Sequence, residues 1–219
     1  TKNKLKYRPF LVKEQKNMLI AMESKDASQI MNSVADCIEN CVEDVDFKKL
    51  STFDVDYIFL QIRSKSAGEI SKVNGICTEC QAENVIEIDL SKINIENVKK
   101  GSQNIELTDN ISVNMRYPTY MDVKNHHNIF SSDLNTTELI FEMINICMYS
   151  IMTENDNILV KDESKEEVDT FINSLTTKQF EKIMEFIQSL PSLTHIEKYT
   201  CSSCGKENQI EFNGLQDFF

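Results

Sequence analysis

The sequence predicts an α+β protein: helical segments at the start and in the middle of the chain, with two strand-knuckle-strand hairpins joined as a zinc-ribbon-like β region. Three observations predict it. Apolar residues recur at steps of three and four within residues 1–68 and again within 119–191. Short β-branched stretches flank each of two CxxC pairs, one within 69–118 and one within 192–219. Only 5 Gly and 3 Pro interrupt 219 residues, so regular structure should dominate. No low-complexity linker separates these four parts, and the expectation is a single unit spanning 1–219.

Arg8-Pro9-Phe10 introduces a first helix over Val12 to Glu23, with Val12, Met18, Leu19 and Met22 as its apolar positions. Asp26 caps a second, in which Ala27, Ile30, Met31, Val34, Ile38, Cys41 and Val42 form one apolar face. Ser51 opens a third, "TFDVDYIFLQIRSKSAG", apolar on several sides and therefore central, with Gly68 expected as a left-handed cap. Ile70, Val73 and Ile76 lead into the first CxxC, and Val85, Ile86 and Ile88 lead out of it, as in a hairpin with cysteines at its tip. "NIELTD" and "ISVNMRYP" read as strands joined at Asp109-Asn110. A short helix is expected over Thr119 to Asn128. Asn135 with Glu138 starts a longer one carrying Leu139, Ile140, Met143, Ile144, Cys147 and Ile151. Ser164 with Glu167, and Thr176 with Gln179, start two more, the last ending before Pro191. "THIEKYT", Cys201 to Cys204, and "NQIEF" form the second hairpin, followed by the tail "GLQDFF".

Thirty-five acidic against 23 basic residues give a formal charge of −12, which repels a phosphate backbone and suits a neutral or basic protein partner. Nucleic acid is not an expected ligand. No apolar run approaches the ~18 to 20 residues of a membrane span, and "TKNKLKYRPF" lacks the apolar region of a secretory signal, so a cytosolic chain is expected. In that compartment seven cysteines, an odd number, point to thiols and metal thiolates rather than a disulfide framework.

"CTECQAENVIEI" (Cys77 to Ile88) and "CSSCGKENQIEF" (Cys201 to Phe212) share one pattern: CxxC, two residues, Glu-Asn, any residue, Ile-Glu, then a large apolar residue. A CxxC knuckle places two sulfurs on one side of a tight turn, and two knuckles supply the four thiolates that tetrahedral zinc takes at ~2.3 Å. Cys77, Cys80, Cys201 and Cys204 are therefore the expected ligands of one structural zinc per chain, with no open position for catalysis. Gly205 suits the turn after the second pair; Gln81 stands in the corresponding place of the first. Three other readings stay open: a thioredoxin-like redox pair, two separate sites completed by other ligands, or four unmetallated thiols. Cys41 and Cys147 read as small buried residues, and Cys37 lies one helical turn from Cys41.

No enzyme is expected. His126, His127 and His195 are the only imidazoles, and none has a nucleophile signature beside it. Walker, GxGxxG, GxSxG and HExxH motifs are absent. The acidic clusters "ENCVEDVD" and "KDESKEEVD" read as solvated helix ends or loops. The candidate partner-binding residues are Phe10, for which anchoring the first helix in the core is the favoured reading over a partner, and Leu215, Phe218 and Phe219 of the tail, for which core closure and docking on a partner weigh equally.

Three blocks carry a family resemblance: "YRPFLVKEQKNMLIAMESKD" (Tyr7 to Asp26), the following "DCIENCV", and "LSTFDVDYIFLQIRSKSAGEI" (Leu50 to Ile70) with its Phe-Asp-x-x-Tyr-x-Phe-Leu-x-x-Arg-x-Lys-Ser spacing. The N-terminal third of the chain thereby resembles the baseplate hub assembly proteins of T-even type contractile-tailed bacteriophages. The resemblance implies non-enzymatic work in tail morphogenesis, with other phage baseplate hub or tail proteins as partners. It implies a place in the host cell cytoplasm during assembly or in the virion baseplate. It implies no catalytic residues, and the zinc reading rests on the cysteine spacing alone. The alternative from a different class is a zinc-ribbon regulator binding nucleic acid or the host transcription machinery, which the charge and the absence of a basic stripe near either knuckle disfavour.

Overall fold

The computed structural model describes residues 5–95, 102–126 and 135–215. The chain divides into two compact units, one formed by Thr1–Glu96 with Pro191–Phe219 and the other by Asn97–Leu190. An α+β architecture results, in which seven helices accompany three small antiparallel sheets among the described residues.

In the first unit, Glu14 fixes the entry to α1 (Val12–Ser24). One of its oxygens accepts the Leu11 N–H at 2.8 Å and the other accepts from Arg8 at 3.2 Å. The Leu11 amide holds this buried carboxyl below its usual range; burial opposes the shift, and Arg8 reinforces it. Asp26 caps α2 (Ala27–Cys41) by accepting from the Ser28 and Gln29 amides, as its sequence position predicts. Helix α3 (Thr52–Ala67) buries Phe53, Val55, Phe59, Leu60, Ile62 and Ser64, the many-sided burial expected of a central helix. Its end departs from expectation. Gly68 sits at φ 101°, ψ 155°, outside the left-handed helical region and in one essentially reserved for glycine, and the Arg63 guanidinium donates to its carbonyl at 3.1 Å.

That sharp exit launches β1 (Ile70–Ile76), which pairs with β2 (Glu83–Asp89). The second hairpin, β7 (Thr194–Thr200) with β8 (Glu207–Asn213), uses the same register displaced by 201 − 77 = 124 residues: Ile76 faces Glu83 as Thr200 faces Glu207. Leu60 of α3, Ile86 and Ile88 of β2, Leu90, Ile93, Leu193 and Phe212 of β8 form a common core. Each such side chain contributes ~1.5–3 kcal/mol by leaving water, so this cluster joins residues from both sequence segments of the unit.

The second unit is a four-stranded antiparallel sheet in the order β3 (Ser102–Glu106), β4 (Ile111–Arg116), β5 (Met148–Thr153), β6 (Asn157–Leu159). Helices α4 (Tyr120–Asn125), α5 (Thr136–Cys147), α6 (Lys165–Asn173) and α7 (Thr177–Gln188) complete it. Val113, Met115, Ile144, Cys147, Met148, Ile172, Ile183 and Phe186 build its core. The capping boxes read from sequence form at Asn135, Ser164 and Thr176. One expectation is corrected: Ile151 does not continue α5. The helix stops at Cys147, and Met148 turns to ψ 112°, because the following residues find strand partners: Ser150, Ile151 and Met152 pair on both sides, Ile151 lying between Val113 of β4 and Ile158 of β6.

Candidate metal centre

The tips of the two hairpins meet. Cys77 Sγ lies 3.6 Å from Cys204 Sγ, and Cys80 Sγ lies 3.6 Å from Cys201 Sγ. All four sulfurs fall within 4.8 Å of one another. A tetrahedron of thiolates ~2.3 Å from zinc has edges of ~3.8 Å, and the two cross-hairpin pairs stand close to that spacing. Cys77 and Cys201 are buried, whereas Cys80 and Cys204 face solvent.

Each knuckle folds in the same way. The Gln81 amide donates to the Cys77 carbonyl and the Cys77 amide to the Ala82 carbonyl; Gly205 with Cys201, and Cys201 with Lys206, repeat these bonds within 2.8–3.0 Å. The turn needs a positive φ after the second cysteine. Gly205 supplies 75° without strain, and Gln81 adopts 59° in the equivalent place.

Backbone amides aimed at the sulfurs set their acidity. The N–H groups of Cys204 and Ser203 draw the Cys201 thiol down to about 6, and those of Cys80 and Glu79 lower Cys77. Cys80 and Cys204 move up, Cys204 to about 12. At Cys80 the Ala82 amide and Cys204 favour the thiolate, but burial with Cys201 and Cys77 outweighs them; at Cys204 the Lys206 amide is outweighed by the three other sulfurs and burial. One buried thiolate-prone sulfur and one exposed thiol-prone sulfur thus come from each knuckle. A divalent cation would draw the remaining protons away and hold four thiolates. With every position taken by sulfur, the ion would cross-link rather than activate water.

Two residues that sequence reasoning passed over complete the centre. Asn84 Oδ1 accepts from the Ser202 amide and hydroxyl at 2.9 and 3.0 Å, while its Nδ2 donates to Cys201 Sγ and the Ala82 carbonyl. Asn208 does the same in reverse, accepting from the Thr78 amide and hydroxyl and donating to Cys77 Sγ and the Lys206 carbonyl. Both asparagines are buried with their amide groups satisfied. The signal was the Glu-Asn shared by the two phrases, visible as a repeat but silent about which group crosses the site.

Over its whole length, residues 1–219, the chain matches the family described as T4 bacteriophage base plate protein. It belongs to that family. No curated protein and no solved structure matches it. No helix among the described residues of this baseplate protein is long and apolar enough to cross a membrane.

The remaining candidate residues are scattered. Phe10 is half-buried, and its amide donates to Ser66 Oγ at 2.9 Å, tying the N-terminal signature to the Lys-Ser end of α3. Leu215 packs against the core of the first unit; Phe218 and Phe219 lie outside the described residues. His126, just after α4, faces Glu142 at 3.5 Å and His195, in β7, faces Glu197 at 2.9 Å, and His127 lies outside the described residues. Cys37 and Cys147 are buried thiols pushed up to about 12 by burial, and Cys41 is raised by the same cause.

Proposed function

We propose that this baseplate protein is a non-enzymatic assembly factor of the tail hub, acting as a chaperone or as a hub component by binding other hub or tail proteins in the infected cell. In this reading Cys77, Cys80, Cys201 and Cys204 hold one structural zinc. The family match across residues 1–219 carries the functional part, and the four clustered sulfurs support the metal. A zinc with four thiolates would staple the two sequence segments of the first unit, which leave and re-enter it on either side of residues 97–190. Structural zinc is worth ~10 kcal/mol or more in apparent binding energy. A net charge of −12 supports protein partners over nucleic acid.

Deleting the gene from the phage should abolish baseplates in electron micrographs of infected-cell lysates. Normal, infectious tails without the protein would contradict the proposal. Mass spectrometry then separates the two modes: presence only in assembly intermediates means a chaperone, and fixed copy number in mature particles means a hub component.

A further inference from the structure

Asn84 and Asn208 link the hairpins through the protein's own hydrogen bonds, and each also reaches a sulfur of the knuckle opposite. Asn84, from the first hairpin, approaches Cys201 Sγ at 3.6 Å; Asn208, from the second, approaches Cys77 Sγ at 3.5 Å. The sulfurs they reach are the two buried ones, whereas Cys80 and Cys204 face solvent. Where water cannot share the negative charge of a thiolate, the opposite hairpin supplies an N–H.

The acceptor half of each amide does a separate job. By taking both donors of Ser202, or both of Thr78, it fixes where the opposite knuckle stands. None of these bonds involves a cation. Resting on the reading of the four cysteines as a zinc site, we propose that Asn84 and Asn208 are its positioning residues. They clasp each knuckle to the other hairpin before metal arrives, and they tune the two buried sulfurs once it is bound. The metal then enters a site whose sulfurs already stand 3.6 Å apart across the hairpins, instead of drawing two loose tips together.

The test uses the full chain with Zn2+ and Co2+ as probes. Zinc affinity is measured by competition with a chromophoric chelator, and the sulfur-to-cobalt charge-transfer band is recorded for wild type, Asn84→Ala, Asn208→Ala and Asn84→Asp. Partners that orient metal ligands are typically worth 10–100-fold in affinity, so each Ala variant should bind zinc at least ~10-fold more weakly while keeping wild-type circular dichroism with metal bound. Asn84→Asp keeps the acceptor for Ser202 but places a carboxylate against Cys201, and it should weaken binding at least as much as Asn84→Ala and shift the cobalt band. A merely structural role would leave that band in place in every folded variant. Unchanged affinity and an unchanged band in Ala and Asp variants overturn the proposal. Failure of the wild-type chain to bind zinc or cobalt at all overturns the metal reading beneath it and is distinguishable for that reason.

Discussion

Gln81 and Gly205 occupy equivalent turns, yet only one is the residue that a positive φ favours. Left-handed backbone costs a non-glycine residue roughly 1–3 kcal/mol, against ~0.5–1 kcal/mol for the extra freedom that glycine loses on folding. Gln81→Gly should therefore raise stability by about 1 kcal/mol and Gly205→Ala should lower it by a similar amount, read from urea midpoints. A Cβ at Gly205 meets nothing within 4 Å, so its effect isolates the backbone. Gly75 is different. A Cβ there would stand 2.5 Å from Ile86 Cδ1 and 3.2 Å from the Tyr199 hydroxyl, which donates to the Ile76 carbonyl. Its place in the first hairpin corresponds to Tyr199 in the second, so one position gives up its side chain to admit the other's ring. The cysteines also divide by environment. With chelator present, a maleimide should modify the four knuckle cysteines and spare Cys37, Cys41 and Cys147, buried thiols raised by burial, until the chain unfolds, as peptide mass spectrometry would report.

Among the elements, those with strong local signals were legible. Asp26, Asn135, Ser164 and Thr176 are start signals because a side chain bonds amides within three residues of itself. Strand β5 was not legible, since "MYSIMT" follows α5 without a break and its apolar residues extend the helical spacing as far as Ile151. Partners distant in sequence, β4 and β6, decide its conformation. Helix α4 is held to the end of β4 by a two-pronged contact in which Arg116 donates to both Asp122 oxygens at 2.6 and 2.9 Å. Burial by itself would raise the Asp122 carboxyl, but Arg116 and Thr119 outweigh it and hold it below the usual range. Its stabilisation is therefore present above the unfolded carboxylate value of ~3.9 and lost as pH falls through the depressed folded value. Asp122→Asn should cost about 1–2 kcal/mol at neutral pH, discounted for partial exposure. Its stability should also vary less than wild type below about pH 4, as denaturant titrations across that range would show.

At the scale of the whole molecule, the repeated phrase is largely scaffolding. Its cysteines gather into one four-sulfur cluster, Gln81 and Gly205 turn the knuckles, Asn84 and Asn208 cross the cluster, and Ile88 and Phe212 enter the core. Sequence spacing identified the four-cysteine cluster because CxxC geometry is local. It could not identify the clasp, because Asn84 with Ser202 and Asn208 with Thr78 are paired only by the fold. Removing metal should loosen the first unit chiefly. In chelator, amide exchange should rise across 70–89 and 194–213 before it rises in the sheet within 102–159, whose core contains none of the four cysteines. The most direct test is the metal content of the purified chain, read by elemental mass spectrometry together with its melting temperature with and without chelator. About one zinc per chain is expected, lost in Cys77→Ser and Cys201→Ser, with a lower melting temperature on chelation. No zinc, with melting unchanged by chelator, would contradict it.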